Sequence, residues 1–506
     1  MTDLESPQHT TPFAEALLGF SEINWLRLNV PGHGADARSF EGLSALLGEG
    51  PLQLDVPPLL DGIDLGPGSP LEQALDLAAR AWGARRTWFL TNGASQGNRI
   101  AVLAAASLGD TLVVQRSVHS SVIDGLVLSG LSAAFVHPTV DTGAGIAHGV
   151  TAAALARALA ANPGAAAAYV VTPSYFGAVA DVTALARAAH DAGVPLIVDE
   201  AWGSHFGFHP DLPANALSQG ADLVVSSTHK LGGSLTQSAM LHLGHGPFAD
   251  TLEPLIERTF HLTQSTSASA LLLASLDTAR RTLATGRTAI DASLATAHRM
   301  RRAVRSTGRF RLVSDDFGRF PDIVAADPLR VAVDTRSGGI SGHRARHLLM
   351  RDHRILVEVA TDAAVVAVVG AGAVPDAARF ARALHALPTA LGPTESSPDP
   401  TDPTGPGDSL GPTAAPVPTR LPRPGPVRMT ARDAFFAPSH LVPAHRAVGR
   451  VSADTLAAYP PGIPNVLPGE VVTAELVDFL HRTVAAPHGH VRGATDPRVG
   501  TLRVVA

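Results

Sequence analysis

Short apolar runs alternate with amphipathic segments between residues 71 and 285. The runs that predict strands are Thr87–Leu90, Thr111–Val114, Ala133–Val136, Ala168–Val171, Leu196–Val198, Leu223–Val225 and Ala239–Leu243. Segments with helical spacing lie between most of them, for example Thr151–Ala161 and Thr183–Ala192. Because alternation of this kind is typical of a mostly parallel sheet with helices on both faces, the pattern predicts a large α/β domain.

The remaining pattern predicts further segments on either side of this domain. We expect an N-terminal arm (residues 1–70), the large domain (71–285), a connector helix with a small domain (286–386), an insertion (387–426) and a C-terminal domain (427–506). Arg280–Arg305 predicts one long helix, and further strand and helix signals lie at Arg330–Asp334, Arg344–Arg351 and Ile355–Val359. The insertion is rich in Pro, Gly, Ser and Thr, so it cannot bury enough apolar surface and we expect disorder.

Composition narrows the class of protein. The chain has 506 residues, a net charge of −6 and no cysteine, which excludes disulfides, thiolate zinc sites and cysteine nucleophiles. No basic cluster suits nucleic acid, and no segment is long and apolar enough to span a membrane. No secretion signal is evident at the N-terminus. We therefore expect a cytoplasmic protein that binds neither nucleic acid nor membrane.

Lys230 is the single lysine among the 39 Lys and Arg residues of the chain. Arginine can supply positive charge at a surface, but its guanidinium stays protonated and cannot condense with an aldehyde. A lysine amine can. The alternative is that codon bias removed lysine from the chain and left one by accident. The sequence around Lys230 argues against that alternative.

Lys230 and Asp199 each follow a predicted buried strand. Leu223–Val225 precedes the segment that contains Lys230, and Leu196–Val198 ends directly at Asp199. Because ligands collect beyond the carboxyl ends of parallel strands, we expect both side chains in one crevice. An acid that pairs with a pyridinium nitrogen and a lysine that condenses with an aldehyde are the protein groups that pyridoxal 5′-phosphate requires.

The turn at residues 91–98, TNGASQGN, leads from the first strand into a helix predicted at Arg99–Ser107. Free N–H groups and the positive end of the helix dipole suit a phosphate, and Ser95 is the candidate side chain. Taken alone, an ordinary strand-to-helix turn is the better interpretation. With Asp199 and Lys230 on the same sheet, the phosphate site is favoured.

Three other side chains have positions that suit a cofactor. His119 lies just past a strand end and could stack on a flat ring, and His229 adjoins Lys230. Trp202 could donate its indole N–H to a cofactor oxygen, although core packing is an equal alternative. His205 and His209 suggest a metal, but no further ligands have suitable spacing.

Several motifs together resemble the ornithine/lysine/arginine decarboxylases, in particular the shorter bacterial forms. The likeness covers nearly the whole chain: PGH near the start, TNGASQGN, VDEAWGSHF, SSTHK, QSTSASALLLASLDTAR at 264–280, GISG at 339–342 and YPPGIPNVLPGE at 459–470. The resemblance implies the pyridoxal-phosphate transferase fold of type I, with smaller α+β C-terminal domains. The receiver-like wing domain of the large inducible forms has no counterpart in this chain.

The resemblance also assigns roles at matching positions. It makes Lys230 the lysine that condenses with the cofactor and Asp199 the partner of the pyridine nitrogen; both are catalytic residues, with His229 and His119. It further implies cofactor contacts from the stacking His119, Ala201 under the opposite face, Trp202 near the ring hydroxyl, and Ala94, Ser95, Ser227 and His229 near the phosphate.

Ser265, Thr266 and Ser267 match a segment that reaches the phosphate of the neighbouring subunit, which implies a homodimer or higher oligomer with shared sites. Glu358 matches an acid that faces the distal cation of a basic amino-acid substrate.

Four positions depart from the family pattern. Ala94 stands where a Ser or Thr is usual, which predicts the loss of one phosphate hydroxyl, and Ser120 replaces a common lysine. Pro57 and Pro58 stand where short forms tend to have Thr-Glu. We expect this arm near the active site, so the departures bear on the choice of substrate.

The resemblance predicts decarboxylation of arginine, lysine or ornithine to the amine and carbon dioxide. Two alternatives remain on sequence alone. The same fold hosts aminotransferases and other lyases, although no arginine is obviously placed to bind an α-carboxylate. The second alternative is a non-catalytic relative that regulates a decarboxylase. The retention of Lys230 argues against this alternative.

Overall fold

The structure, a computed structural model, describes residues 7–388, 422–459, 463–485 and 489–506. The helices are α1 (Pro12–Ser21), α2 (Glu41–Leu47), α3 (Glu49–Leu54), α4 (Pro70–Trp82), α5 (Gly93–Ala105), α6 (Ser120–Ser129), α7 (Ala152–Ala160), α8 (Val182–Asp191), α9 (Thr228–Leu231), α10 (Ala249–Thr263), α11 (Ala270–Thr285), α12 (Arg287–Ser306), α13 (Gly342–His353), α14 (Ala377–Ala386), α15 (Ala431–Phe436), α16 (Ala444–Ala447) and α17 (Ala474–Ala485). The strands are β1 (Arg86–Leu90), β2 (Thr111–Gln115), β3 (Ser132–Val136), β4 (Val140–Asp141), β5 (Ile146–Ala147), β6 (Ala165–Val171), β7 (Ala178–Ala180), β8 (Leu196–Asp199), β9 (Leu223–Ser226), β10 (Ala239–Leu243), β11 (Arg311–Leu312), β12 (Ile323–Ala326), β13 (Arg330–Asp334), β14 (Val359–Ala360), β15 (Ala364–Val368), β16 (Ser439–Pro443), β17 (Leu456–Tyr459), β18 (Pro464–Val466), β19 (His490–Arg492) and β20 (Thr501–Val505).

A central sheet of seven strands organises the fold, in the order β1-β10-β9-β8-β6-β2-β3. The pairs from β9 to β3 are parallel, whereas β10 runs antiparallel to both of its neighbours. Every residue of β8 and β9 is buried, as expected for strands covered by helices on both faces. The predicted mostly parallel sheet is confirmed, and each predicted strand lies within or at an observed one.

The carboxyl ends of β8 and β9 position the site. In the register of these parallel strands, Asp199 pairs with Val225, so both strands end at the same edge of the sheet. The short helix α9 starts directly after β9 and carries Lys230. The chain therefore brings the acid and the amine to one edge, as the strand pattern predicts.

Helix boundaries differ from the prediction at two glycines. Gly286 separates α11 from α12 where one helix was expected, and a Cβ added there would lie 2.2 Å from the carbonyl oxygen of Thr282. Gly93, with φ +69°, opens α5 six residues before the predicted start at Arg99. The spacing of apolar residues reveals neither the break at Gly286 nor the start at Gly93, because both depend on backbone conformation. Of the segment predicted at Ile355–Val359, only Val359 enters a strand.

The N-terminal arm contains helices α1 to α3, although its sequence shows little periodicity. The guanidinium of Arg280 donates to the carbonyl oxygens of Gln8 and Thr10, and Asp277 accepts from the backbone N–H groups of Phe13 and Ala14. These contacts fix the start of the arm on α11. The domain boundaries stay a prediction, and most of the predicted insertion, residues 389–421, lies outside the described residues.

Smaller sheets complete the chain. An antiparallel sheet, β11-β13-β15-β14, follows α12, and the last segment holds the sheets β16-β20 and β18-β17-β19. A buried ion pair between Arg116 and Glu470, 2.9 Å apart, joins the last segment to the end of β2. None of the helices in the described ranges has the length and apolar character that a membrane span requires.

Candidate active site

Lys230 lies at the floor of a cavity of about 800 Å³. Its Nζ atom is 3.9 Å from the centroid of the Trp202 indole ring. The cavity is lined by His119, Tyr175, Trp202, His229, Lys230, Arg346, His347, Met350, Glu358, Val359, Val368, Gly370 and His490. The structure therefore brings together five of the predicted site residues: His119, Trp202, His229, Lys230 and Glu358.

Burial makes Lys230 a better nucleophile than an ordinary lysine. Desolvation, together with the nearby charge of Arg330, lowers the pKa of Lys230 from 10.5 to about 8, although Asp199 and Glu358 oppose the change. At pH 7 this shift raises the uncharged fraction of the amine by roughly 300-fold. An amine in this state can attack an aldehyde carbon.

Asp199 is held by two donors at the end of β8. Its Oδ1 accepts from the backbone N–H of Ala201 at 3.0 Å, and its Oδ2 accepts from the Asn98 side chain at 3.0 Å. Burial raises the pKa of Asp199, while Lys230 and these two hydrogen bonds lower it. The carboxylate is thus oriented, close to Lys230 and available to an additional cationic partner.

His119 is uncharged and has a defined tautomer. Its Nδ1 accepts from the backbone N–H of Ser121 at 3.2 Å, and the Ser121 hydroxyl lies 2.8 Å from the same atom. Burial, reinforced by the charge of Lys230, lowers the pKa of His119 to about 4. Because a backbone N–H can only donate, the ring proton must lie on Nε2.

His229 lines the cavity and also has a defined tautomer. Its Nδ1–H donates to the carbonyl oxygen of Ser238 at 2.9 Å, which leaves Nε2 free of that contact. Burial lowers the pKa of His229, so the ring is uncharged at neutral pH. A neutral imidazole beside Lys230 can carry a proton to or from a bound molecule.

Glu358 brings negative charge to the wall of the cavity. Burial lowers the pKa of Lys230, His229 and Arg330, and the charge of Glu358 opposes that change at each of them. Among the lining residues that the structure describes, it is the acidic one. A cationic group that entered the cavity would find its counterion here.

Asp199 and the remaining predicted residues are not among the residues that line the cavity. Ala94 and Ser95 occupy the first turn of α5, and Ser227 is buried directly before α9. Ala201 is buried beside Asp199. Ser265, Thr266 and Ser267 are exposed between α10 and α11. The predicted role of Ala201 under the cofactor ring, and those of the other residues at the cofactor phosphate, stay predictions. His205 and His209, considered above for a metal, pair with the separate carboxylates Asp327 and Asp291.

A family model of the Orn/Lys/Arg decarboxylase major domain matches residues 11–320, and a model of the C-terminal domain of the same family matches residues 427–488. The chain belongs to the Orn/Lys/Arg decarboxylase family. It is 32% identical to the arginine decarboxylase of Bacillus subtilis over 501 residues, which cover 98% of each chain. It is also 32% identical to the arginine decarboxylase of Halalkalibacterium halodurans over 514 residues, 99% of this chain and 98% of that relative.

Solved structures of this family share the fold. Lysine decarboxylase A from Pseudomonas aeruginosa superposes with a TM-score of 0.81 at 21% identity, over 98% of this chain and 80% of that chain. The constitutive lysine decarboxylase of Escherichia coli gives 0.76 at 20% identity, over 98% and 82%. The predicted type I fold is confirmed.

Decarboxylases of this family use pyridoxal 5′-phosphate, and the residues of this chain fit that group. Trp202 lines the cavity, and its buried indole Nε1 has no hydrogen-bond partner among the described residues. An unpaired buried donor costs free energy unless a ligand accepts from it. Lys230 lines the cavity, and the buried carboxylate of Asp199 is close enough to act on its charge, so these groups suit an aldehyde, a pyridine nitrogen and a ring oxygen. The chain is thus a pyridoxal-phosphate-dependent decarboxylase of a basic amino acid.

Sequence reasoning missed several residues of this decarboxylase site. Arg330 is fully buried with its Cζ 4.2 Å from the Trp202 ring centroid, and no motif pointed to it. Arg346 and His347 reach the cavity from α13, and His490 reaches it from β19. Asn98 lies in the TNGASQGN motif, so the sequence alone could have suggested it as a site residue. The other four residues lie in segments that meet the site only once the chain has folded.

Proposed function

We propose that this decarboxylase acts on arginine and releases carbon dioxide and the corresponding amine, which serves polyamine biosynthesis. The observation that carries the proposal is Glu358, a carboxylate that lines the same cavity as Lys230. A guanidinium matches a carboxylate in a planar, bidentate geometry. The full-length relatives named arginine decarboxylase support arginine over lysine and ornithine.

The residues of the floor would hold pyridoxal 5′-phosphate, which when bound supplies an electron sink for the bond that breaks. Lys230 would hold its aldehyde carbon, and Asp199 would keep a proton on its ring nitrogen. Trp202 would donate its indole N–H to a ring oxygen. The first turn of α5, with Ser95, would face the phosphate, together with Ser227 and His229.

Orientation of the substrate decides which bond is cleaved. His119, uncharged with its proton on Nε2, would lie over the ring plane and keep the carboxylate-bearing face dry and ordered, with Ala201 on the opposite face. Glu358, by binding the distal cation, would help to hold the substrate so that the bond to its carboxylate is the one that breaks. After carbon dioxide leaves, Lys230 or the Nε2 of His229 returns a proton to Cα.

A homodimer with shared active sites completes this proposal. Ser265, Thr266 and Ser267 are exposed on their own chain, which suits a segment that contacts the phosphate bound by a partner chain. The arm exposes Leu26 (84%) and Leu28 (88%), apolar surface that an identical subunit would cover. We place the enzyme in the cytoplasm, where its basic amino-acid substrate is available.

The test is turnover with pyridoxal phosphate and arginine, lysine and ornithine in parallel, following carbon dioxide and amine. We expect kcat/KM for arginine to exceed the other two by at least about tenfold, since the wrong cation leaves Glu358 poorly paired. Faster turnover of lysine or ornithine would overturn the choice of substrate and leave the chemistry standing. Transamination without carbon dioxide release would overturn both.

A further inference from the structure

A buried amide connects the two side chains that would flank the cofactor ring. Asn98, on α5, is 1% exposed, and its Nδ2 donates to Asp199 Oδ2 at 3.0 Å and to Ser121 Oγ at 2.9 Å. Its Oδ1 accepts from the Tyr169 hydroxyl at 2.8 Å. Both N–H groups and the carbonyl of this amide are therefore used.

The chemistry of the partners fixes the orientation of the amide. Turning the Asn98 side chain over would place its carbonyl oxygen against the carboxylate of Asp199, so only the observed orientation is favourable. Burial, with a smaller effect of Asp199, raises the pKa of Tyr169 well above its ordinary value. The Tyr169 hydroxyl therefore stays protonated and must donate.

Each hydrogen bond then determines the next one. The Ser121 hydroxyl accepts from Asn98, so its own proton is directed to His119 Nδ1, 2.8 Å away. The same Nδ1 accepts the Ser121 backbone N–H. A single chain of donors thus runs from Tyr169 through Asn98 and Ser121 to His119, with a branch to Asp199.

We propose that Asn98 is a positioning residue: its amide aims Asp199 and, through Ser121, His119, so that one buried side chain sets both groups that face the cofactor ring. The inference rests on the proposed roles of Asp199 and His119. A hydrogen bond to a carboxylate stabilises its ionised form. Asn98 therefore also favours the proton on the ring nitrogen over the proton on Asp199.

The principal experiment measures where that proton lies. Full-length protein is loaded with pyridoxal phosphate carrying ¹⁵N in its ring, and the nitrogen chemical shift is recorded by NMR for the parent, Asn98→Ala and Tyr169→Phe. We expect a protonated ring nitrogen in the parent, a substantial shift toward the unprotonated signal in Asn98→Ala and a smaller shift in Tyr169→Phe. A purely structural role would change stability and leave this signal unmoved.

The chain offers matched controls. Asn215 is a buried amide that donates to the Trp82 carbonyl, so Asn215→Ala removes a similar group outside the network. Ser120 is buried beside Ser121, but its hydroxyl has no hydrogen-bond partner in the described part of the chain. Ser120→Ala is thus the control for Ser121→Ala. Circular dichroism and thermal unfolding establish that each variant is folded.

Activity provides the second readout. We expect kcat to fall about 10- to 100-fold in Asn98→Ala and roughly three- to tenfold in Ser121→Ala, with both controls within about twofold of the parent. The parent nitrogen signal and near-parent kcat in Asn98→Ala would overturn the inference. If Asn98→Ala does not fold, Tyr169→Phe provides the test. A ring nitrogen signal in Tyr169→Phe that equals that of the parent would likewise overturn the inference. An unprotonated ring nitrogen in the parent would instead refute the role of Asp199.

Discussion

The cavity floor and the N-terminal arm differ in how their side chains are held. Around Lys230, Asp199 accepts a hydrogen bond from Asn98, and His119 accepts one from the backbone N–H of Ser121. Lys230 itself packs on the Trp202 indole. Beyond its anchored start, the arm leaves Leu26 and Leu28 largely exposed. The side chains around Lys230 are thus held by contacts within one chain, whereas these two arm side chains lack such contacts with the residues that the structure describes. The predictions below separate these two contributions, from the largest expected effect to the smallest.

Lys230→Ala tests the floor most severely. Without an amine, the cofactor aldehyde has no anchor, and we expect kcat/KM to fall by at least about 10⁴-fold with loss of the visible absorbance band of the holoenzyme. Lys230→Arg is the matched variant because it keeps a positive charge, and it should be equally inactive. Near-parent turnover in either variant would refute the proposed role of Lys230.

Asp199→Asn keeps the shape of the side chain and removes its charge. The ring nitrogen would lose its counterion, so we expect kcat to fall roughly 10³-fold. Glu200→Gln is the control: Glu200 is a buried neighbour whose Oε1 accepts from the backbone N–H of Ala216, a contact that an amide oxygen can also make. Equal losses in the two variants would mean that Asp199 acts only through folding. Steady-state rates decide.

The lowered pKa of Lys230 predicts a pH dependence of stability in the cofactor-free protein. Between pH 8 and pH 10.5 the folded amine is neutral while the unfolded one is charged, so unfolding takes up a proton and stability rises with pH. We expect a gain of about 2–3 kcal/mol across this window relative to Lys230→Met, from urea unfolding at each pH. Parallel curves for the two proteins would show that the amine is solvated.

Glu358→Gln tests whether the acidic side chain that lines the cavity recognises the substrate. Loss of a charged partner for the guanidinium should raise KM for arginine by roughly 10- to 100-fold and change kcat much less. The same variant should discriminate less between arginine and an uncharged analogue of similar length. A fall in kcat alone would place Glu358 in the chemistry and not in recognition.

Leu28→Asp tests the arm. On an isolated chain an exposed substitution changes the free energy of unfolding by under about 0.5 kcal/mol, but a charge within a subunit interface should weaken a dimer at least about tenfold. Sedimentation equilibrium measures the association. Val374→Asp, at a side chain 59% exposed outside the arm, is the control. Unchanged association in Leu28→Asp would remove the arm from the proposed interface.

The sequence predicts the floor well because its determinants are local. A buried strand followed by Asp199, and another followed by Lys230, require only the parallel order of β8 and β9 to meet. The strands were found for the same reason, since full burial appears as continuous apolar runs. Gly286 shows where this reasoning fails: a backbone break leaves the apolar spacing unchanged.

The wall of the cavity could be predicted only in part. Arg346 and His490 line the cavity from two segments that are far apart in sequence, and Arg330 contacts the Trp202 ring; nothing in their local pattern sets them apart from surface charges. Glu358 was found through family resemblance and not through periodicity. Long-range packing decides which polar side chains share a cavity, and a single sequence does not encode that packing in a readable pattern.

The solitary lysine has a practical consequence for labelling. Reagents that acylate or reductively alkylate side-chain amines have Lys230 as their target on this polypeptide, apart from the terminal amino group. Because that amine lies against the Trp202 indole, a chromophore attached to it would quench indole emission at short range. Mass spectrometry and fluorescence would therefore report occupancy of one cavity in the native enzyme, without any engineered tag.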